Sequence, residues 1–590
     1  MKYFVNYLQN FKLVSIERAT LLLSSLFQKT LQLKLGHTIQ VLCFALLIGC
    51  KTEPETKNQP YSTEPVIIAQ GEKIFNQQCS ACHGFLQDGI GPSLGGITHE
   101  VESNWIIEFI KSPKTVLDSD DDRAKSLNEK YVTLMPDFGH LKEEEINALL
   151  SFLHTKEKAP QTIDSLDQTP LKNPIKTTIP LSKSAINLKM VAQIPASHDT
   201  LPKTRINKLS VIPDSDRLMV NDLRGELWEV TPDGPVKYLD IREFFSDFTC
   251  KVGLGTGFGS FTFHPSFKKN GLFYTTHTEK SYSKPADFLL PDSVKVRHQW
   301  VLTEWKADMP KDHVFNGKKR EVMRFDFIAS AHAVQEIAFN PYSTPADADY
   351  GKLYIAVGDG ASVQVGHPYI AIHHGTAPWG SILRIDPLGT NAENGKYGIP
   401  EDNPFVSNKG IMGEIWAYGF RNPNRISWYD KTRILATDIG QANIEELNLV
   451  IPGGFYGWPL REGTFLFNPK GNFNNVYPVP EDQKTDTIID PILQYDHDEG
   501  AAISGGFMLT NLGKEKKYLF GDIPTGRIFL GDLNNGKIKE LNLKIENEPI
   551  TLTEATKSNR VDLKYGMGHN GQIYIFTKAD GKIYQVLDIK

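Results

Sequence analysis

Cys79-Ser80-Ala81-Cys82-His83 is a C-x-x-C-H run, and its reading decides how the first folded part of the chain is built. Two thiols three positions apart reach both vinyl groups on one edge of a porphyrin, and the adjacent imidazole falls over the iron as proximal ligand. A zinc site would need a second Cys/His pair, and the sequence places none nearby. A covalently held haem c needs another axial ligand. Met135, in Thr133-Leu134-Met135-Pro136, is the only methionine between Cys50 and the end of the segment that follows it. A thioether ligand favours ferrous iron and raises the potential, which suits electron transfer. Residues 69–78 and 142–154 carry helical apolar spacing. In the second segment Ile146, Leu149, Leu150 and Leu153 share one face, and Glu143 to Glu145 stand in the first turn.

Residues 66–156 resemble a class I cytochrome c throughout. The match includes Gly91-Pro92-Ser93-Leu94, which looks like the loop covering the haem edge in small cytochromes. The resemblance implies a small all-α domain with Cys79 and Cys82 as attachment points and His83 and Met135 on the iron.

Residues 1–49 read as a signal peptide. Lys34 is followed by Val41-Leu42-Cys43-Phe44-Ala45-Leu46-Leu47-Ile48-Gly49, an apolar run too short to span a bilayer. Leu47-Ile48-Gly49-Cys50 resembles a lipobox, which implies that Cys50 is acylated and that the protein is exported. It would be lipid-anchored to a bacterial membrane, on the periplasmic face or the cell surface. Residues 50–65 form a polar tether. Of the 5 cysteines, Cys43 falls in the signal, Cys50 takes lipid, and Cys79 and Cys82 take haem. Cys250 is left over as a small buried apolar residue, with no partner for a disulfide.

Residues 157–184 form a second polar linker with Pro160, Pro170, Pro174 and Pro180. From 185 to 590 the texture changes to short runs rich in Val, Ile, Tyr and Phe between Gly, Pro, Asn and Asp turns. Arg217 to Asn221, Gly271 to Thr276, Lys352 to Val357, Gly380 to Ile385 and Gln572 to Thr577 are five such runs. About 400 residues of this texture exceed one sandwich and fit a propeller of four-stranded blades, six at about 65 residues each. The fold class expected is multidomain: a small all-α cytochrome c domain followed by an all-β six-bladed propeller. The net charge of −6, without a basic stripe, argues against a nucleic-acid partner.

Several strings in the large domain resemble the quinoprotein glucose and sorbosone dehydrogenase family, in family order. They are Gly257-Phe-Gly-Ser-Phe-Thr-Phe-His-Pro-Ser-Phe267, Ala331-His332-Ala333, Gly351-Lys-Leu-Tyr-Ile-Ala-Val-Gly-Asp359 and Gly419-Phe-Arg-Asn-Pro-Asn-Arg425. Asp438-Ile-Gly-Gln441, Glu445-Glu-Leu-Asn448 and Gly453-Gly-Phe-Tyr-Gly-Trp-Pro459 follow. Tyr495-Asp-His-Asp-Glu-Gly500 and Gly526-Arg527-Ile528 continue the series. The family oxidises sugars with pyrroloquinoline quinone (PQQ) and calcium, so the resemblance implies those cofactors beside haem c.

By the resemblance, His332 matches the base that removes a hydroxyl proton as hydride leaves carbon. Asp359 matches the carboxylate that orients that base. Arg421 matches the group that polarises the quinone carbonyl, with Asn422 as its hydrogen-bonding neighbour. Gly440 and Gln441 would offer main-chain carbonyls to calcium, and Glu446 matches a carboxylate associated with a second calcium. Arg560 and Lys564 stand where the family places cations on the PQQ carboxylates. His367, His373 and His374 read as a solvated loop, without the carboxylate or Cys spacing of a metal site.

Departures are present. Gly255 stands where the glucose enzymes carry glutamine. Ile523-Pro-Thr-Gly-Arg527 replaces a segment with a PQQ-binding lysine, where Arg527 would substitute at a different spacing. The chain is nearer the sorbosone-type branch. A tethered cytochrome accepting electrons singly from the quinone makes a coherent enzyme. Its partners would be a small sugar, alcohol or aldehyde substrate and a downstream acceptor such as a respiratory cytochrome. Two alternatives stay open: a non-catalytic ligand-binding propeller carrying a cytochrome, and a calcium-dependent lactonase or hydrolase.

Overall fold

The computed structural model describes residues 61–80, 82–85, 88, 91–131, 134–158, 168–251, 255–481, 487–509 and 516–590. The signal segment, the acylation call at Cys50, the tether up to residue 60 and part of the second linker lie outside the described residues.

The first folded part is helical. Its main helices are Pro65–Ile74, Ser103–Lys111, Asp122–Lys130 and Glu143–His154. Pro65 occupies a first-turn position, where its fixed φ suits a helix and its missing N–H costs nothing. Gly71 lets helix Pro65–Ile74 lie close on Glu143–His154, since a Cβ there would strike the Ala148 carbonyl. The helix expected over 69–78 runs instead over Pro65–Ile74 and widens into a π-helical turn, Phe75–Cys79. The Ser80 N–H donates to the Phe75 carbonyl at 2.9 Å, and the Ser80 hydroxyl donates to Asn76 O at 2.8 Å. The His83 N–H then closes onto Cys79 O at 3.0 Å, which turns the C-x-x-C-H run back on itself. Ile146, Leu149, Leu150 and Leu153 are all buried, as their spacing requires, in a core with Phe75, Ile106 and Ile110. Met135 packs against that core.

The rest of the described chain is mostly β and propeller-like. Each of the five quoted runs is a strand: Leu218–Asp222, Leu272–Lys280, Leu353–Val357, Ser381–Ile385 and Ile573–Thr577. Among the described residues, four of the sheets are four-stranded and antiparallel, one is three-stranded, and the first and last strands share a nine-stranded sheet. The innermost strands contact one another in a closed succession: Ile206–Val211, Phe258–Phe263, Glu336–Phe339, Pro423–Trp428, Ile503–Met508 and Leu563–Met567, then back to the first. These strands are buried on both faces; Phe258–Phe263 and Pro423–Trp428 have no exposed residue at all.

Closure comes from the chain ends. Strand Leu181–Gln193 pairs antiparallel with Lys582–Ile589 and parallel with Lys537–Ile545, and so stitches the last two sheets together. This corrects the expected linker, which ran to 184: residues 181–184 are polar but belong to a sheet whose partners lie far along the chain. Segment 171–179 also lies on the large domain. Leu171 N–H donates to Val476 O at 2.9 Å, Ile175 N–H to Asp496 at 3.1 Å and Ile179 N–H to Glu499 at 2.8 Å.

Candidate active site and haem crevice

In the helical domain a cavity of about 410 Å³ opens over the C-x-x-C-H turn, lined by Cys79, Cys82, His83, Trp105, Tyr131 and Met135. His83 Nδ1 lies 2.8 Å from the Pro92 carbonyl. A carbonyl only accepts, so Nδ1 carries the proton and Nε2 keeps its lone pair for a metal. Burial lowers the His83 pKa, which keeps the ring neutral. Gly91 is required here, because a Cβ would sit 2.5 Å from His83 Cε1. The two thiols, the oriented imidazole and the thioether lining one cavity fit haem c.

The large domain closes one wall of the same crevice. Leu201, Pro202, Arg560 and Asp562 line it. Arg560 Nη1 donates to Cys82 Sγ at 2.7 Å and Nε donates to Asp562 Oδ1 at 2.8 Å. Arg297 and Glu72 pair at 3.3 Å across the two domains, and Gln77 donates to the Lys251 carbonyl at 3.3 Å.

His332 and Asp359 meet on the large domain. His332 lies between two sheets, in the stretch from strand Gly317–Phe327 to strand Glu336–Phe339; Asp359 follows strand Leu353–Val357. Nδ1 and Oδ1 are 2.7 Å apart. The carboxylate accepts from Nδ1, leaving Nε2 as the free base. His332 adopts φ 51°, a left-handed conformation that is strained for a non-glycine residue and concentrates at functional sites. Asp359 is itself held by the Ala361 N–H at 2.8 Å and by Trp458 Nε1 at 3.0 Å. Burial lowers the His332 pKa and Arg421 lowers it further, against the opposing pull of Asp359. The ring is therefore a neutral base near pH 7.

Arg421 is buried beside this pair. Its guanidinium donates to Gln441 Oε1 at 3.1 and 3.0 Å and to Ile439 O at 2.9 Å, and stacks 5.7 Å from the Trp458 ring. The Arg421 and Asn422 N–H groups both donate to Asp438, at 2.9 and 2.5 Å. Burial still pushes Asp438 up to about 7. Gln441 Nε2 is buried without a hydrogen-bond partner. Among the described residues no donor reaches the carbonyl of Gly440 or of Gln441. An orphaned donor and two open carbonyls side by side fit a polar cofactor with a hard cation.

Glu446 is held by other groups. Burial pushes it up to about 8, and its oxygens accept from Asn448 and Gly463. Two other carboxylates border the Gly440 and Gln441 pair: Glu445 accepts the Gly440 N–H at 3.2 Å, the Ile503 N–H at 2.7 Å and pairs with His497 at 2.9 Å, and Glu462 accepts the Gln441 N–H at 2.8 Å.

The cations separate into three settings. Lys564 is 4 % exposed and has no hydrogen-bond acceptor among the described residues. Burial and the neighbouring Lys578 and Arg425 drive its pKa well down. A buried amine without an acceptor, which a carboxylate brought beside it would favour in its charged form, fits an anionic group. Arg527 is instead taken by Glu540 at 2.6 Å and Glu499 at 3.1 Å, and Arg560 by Cys82 and Asp562. The structure also corrects the histidine loop. His373 is buried, accepting from the Gly375 N–H at 2.9 Å and donating to the Trp379 carbonyl.

Trp458, Asp438 and Lys578 were assigned no role from the sequence. Trp458 and Asp438 both lay inside quoted family strings.

Comparison with known proteins extends these findings. A Cytochrome c family model matches residues 68–157, and a Glucose / Sorbosone dehydrogenase model matches 205–585. HIPL1 protein of Arabidopsis thaliana is 27% identical over 485 residues, 72% of this chain and 65% of its own. Quinoprotein glucose dehydrogenase B of Acinetobacter calcoaceticus is 25% identical over 262 residues, 42% of this chain and 48% of its own. The chain thus spans about half to two thirds of the length of these curated relatives. Among solved structures, the PQQ-bound aldose sugar dehydrogenase of Streptomyces coelicolor is 18% identical with TM-score 0.46, covering 70% of this chain and 100% of that one. The chain belongs to the glucose/sorbosone dehydrogenase family and carries an N-terminal cytochrome c domain.

Proposed function

We propose that this protein is a PQQ-dependent dehydrogenase of sugars or related alcohols and aldehydes, built on a six-bladed propeller, which hands electrons one at a time to its own haem c. The observation that carries the reading is the His332–Asp359 pair at 2.7 Å in a domain that also walls the haem crevice. PQQ, when bound, supplies an acceptor for hydride that can be reoxidised in single-electron steps. His332 Nε2 takes the substrate hydroxyl proton, and Asp359 holds the ring in the tautomer that leaves Nε2 free. Trp458 fixes Asp359 in turn. Arg421 places positive charge beside the reacting group, and Gln441 Nε2 offers a further donor. Lys564 would hold a cofactor carboxylate, and the carbonyls of Gly440 and Gln441 would hold calcium. Acylation of Cys50 and export to a bacterial membrane complete the reading, with a respiratory cytochrome as downstream acceptor.

The test is haem reduction, followed by the ferrous α-band, in full-length protein saturated with PQQ and calcium. Aldoses, sorbosone and simple alcohols are added in turn, with His332→Ala as control. Reduction that requires PQQ and His332 supports the reading. A haem that dithionite reduces but no substrate does, with no PQQ retained, replaces it with a ligand-binding propeller carrying a cytochrome.

A further inference from the structure

We propose that Arg560 is a positioning residue lent by the large domain to the haem: it seats the Cys82 edge of the cytochrome and biases the iron toward the ferrous state.

The contact joins residues 478 positions apart. Arg560 Nη1 lies 2.7 Å from Cys82 Sγ, on the edge of the crevice where the porphyrin attaches. Its Nε is braced by Asp562 Oδ1 at 2.8 Å, and both side chains are largely buried, 14% and 13% exposed. Behind Arg560 stand Lys564, Lys578 and Arg425, with Asp562 the anion facing them. Burial drives both lysines toward their neutral forms, so the fixed cation at the Cys82 edge is Arg560.

Reduction lowers the charge at the iron by one. A fixed cation in a water-poor wall stabilises the ferrous form over the ferric, because Coulomb interactions strengthen as the local dielectric falls. Arginine suits the place: it stays charged when buried, and its planar fork can satisfy Asp562 with one edge while the other faces the thioether. Asp562 acts in the opposite direction on the iron but fixes where Arg560 points. The electron-delivery half of the inference rests on the dehydrogenase reading. With both groups bound, each electron passed on would leave the reduced quinone together with one proton released to water, and would take ferric haem to ferrous.

The decisive experiment is a redox titration of the haem in full-length, haem-loaded protein, with soluble mediators and with neither substrate nor quinone. Arg560→Gln is expected to shift the ferrous/ferric balance about tenfold toward ferric, a fall of about 59 mV for one electron. Arg560→Lys, which keeps the charge, should recover most of that shift, and Asp562→Asn should move the potential upward. Rapid-mixing haem reduction by substrate should slow at least tenfold in Arg560→Gln, while reduction of a small dye by the same protein continues at the wild-type rate. An unchanged potential in Arg560→Gln, or an equal fall in Arg560→Lys, overturns the proposal. If no substrate reduces the haem yet the potentials move as stated, the dehydrogenase reading falls and the assignment of Arg560 stands.

Discussion

The Asp359 N–H donates to the Arg421 carbonyl at 2.8 Å, tying the loop that orients His332 to the loop that carries the buried guanidinium. One backbone hydrogen bond thus sets the spacing between base and cation across two neighbouring sheets. Trp458 spans the same pair from the other side, donating to Asp359 and stacking on Arg421. The three groups behave as one rigid unit, and their substitutions should be strongly non-additive.

His332→Ala should reduce substrate-driven haem reduction by about 10²–10⁴-fold, the usual worth of a positioned base. Asp359→Asn should cost a large part of the same factor, because an amide can turn the imidazole to the wrong tautomer. Chemical reduction of the haem should be unaffected in both, which stopped-flow with dithionite would check.

The acid limb of kcat/KM should lie below the ordinary imidazole value of about 6.5. The base must be neutral, and burial with Arg421 lowers its pKa. Asp359 opposes that shift, so in any residual activity Asp359→Asn moves the limb further down and Arg421→Gln moves it up. A limb above 6.5 in the wild type would contradict this assignment.

Trp458→Phe keeps the aromatic surface and deletes one N–H. Losing a hydrogen bond to a buried carboxylate costs about 1.4 kcal/mol, so kcat should fall about tenfold with KM little changed. A change confined to KM would place Trp458 on the substrate rather than behind Asp359.

Lys578 has its pKa lowered to about 7 by burial, against about 10.4 in an unfolded chain. Between those values the unfolded chain holds a proton that the folded one has released. Its stabilising contribution is complete above about pH 10.4 and is lost as pH falls toward 7. Quinone-free protein should therefore gain thermal stability from pH 7 to 10, and Lys578→Met should remove that slope. Lys564→Met should stabilise the quinone-free protein while weakening PQQ retention, measured by equilibrium dialysis.

Met135→Ala should lower the haem potential and open a coordination position. Added imidazole would then bind and shift the Soret band, which it should not do at low concentration in the wild type.

The candidate haem residues stood out because their chemistry is local. C-x-x-C-H is a spacing, the methionine was alone in its region, and the helix Glu143–His154 announces its buried face by period. Strand texture was equally plain, since inner strands buried on both faces read as apolar runs. The strand beginning at Leu181 was not: Ser182-Lys183-Ser184 is polar, and only partner strands far along the chain make it a strand. His373 looked solvated beside His367 and His374, yet the turn at Gly375 folds its ring inward.

The sequence by itself determined which side chains were available: two thiols and a histidine for haem, a thioether, a histidine base, and a set of arginines and lysines. Those are properties of composition and short spacing. Which cation serves which site was decided only by the tertiary structure. Lys564 was left without an acceptor in the interior, Arg527 was spent on Glu499 and Glu540, and Arg560 was carried to the haem edge. Closing a ring of sheets and laying the cytochrome against it brings residues 478 positions apart within 2.7 Å. Electrostatic interactions depend on that through-space distance and on local burial, and neither is encoded in the order of neighbouring residues.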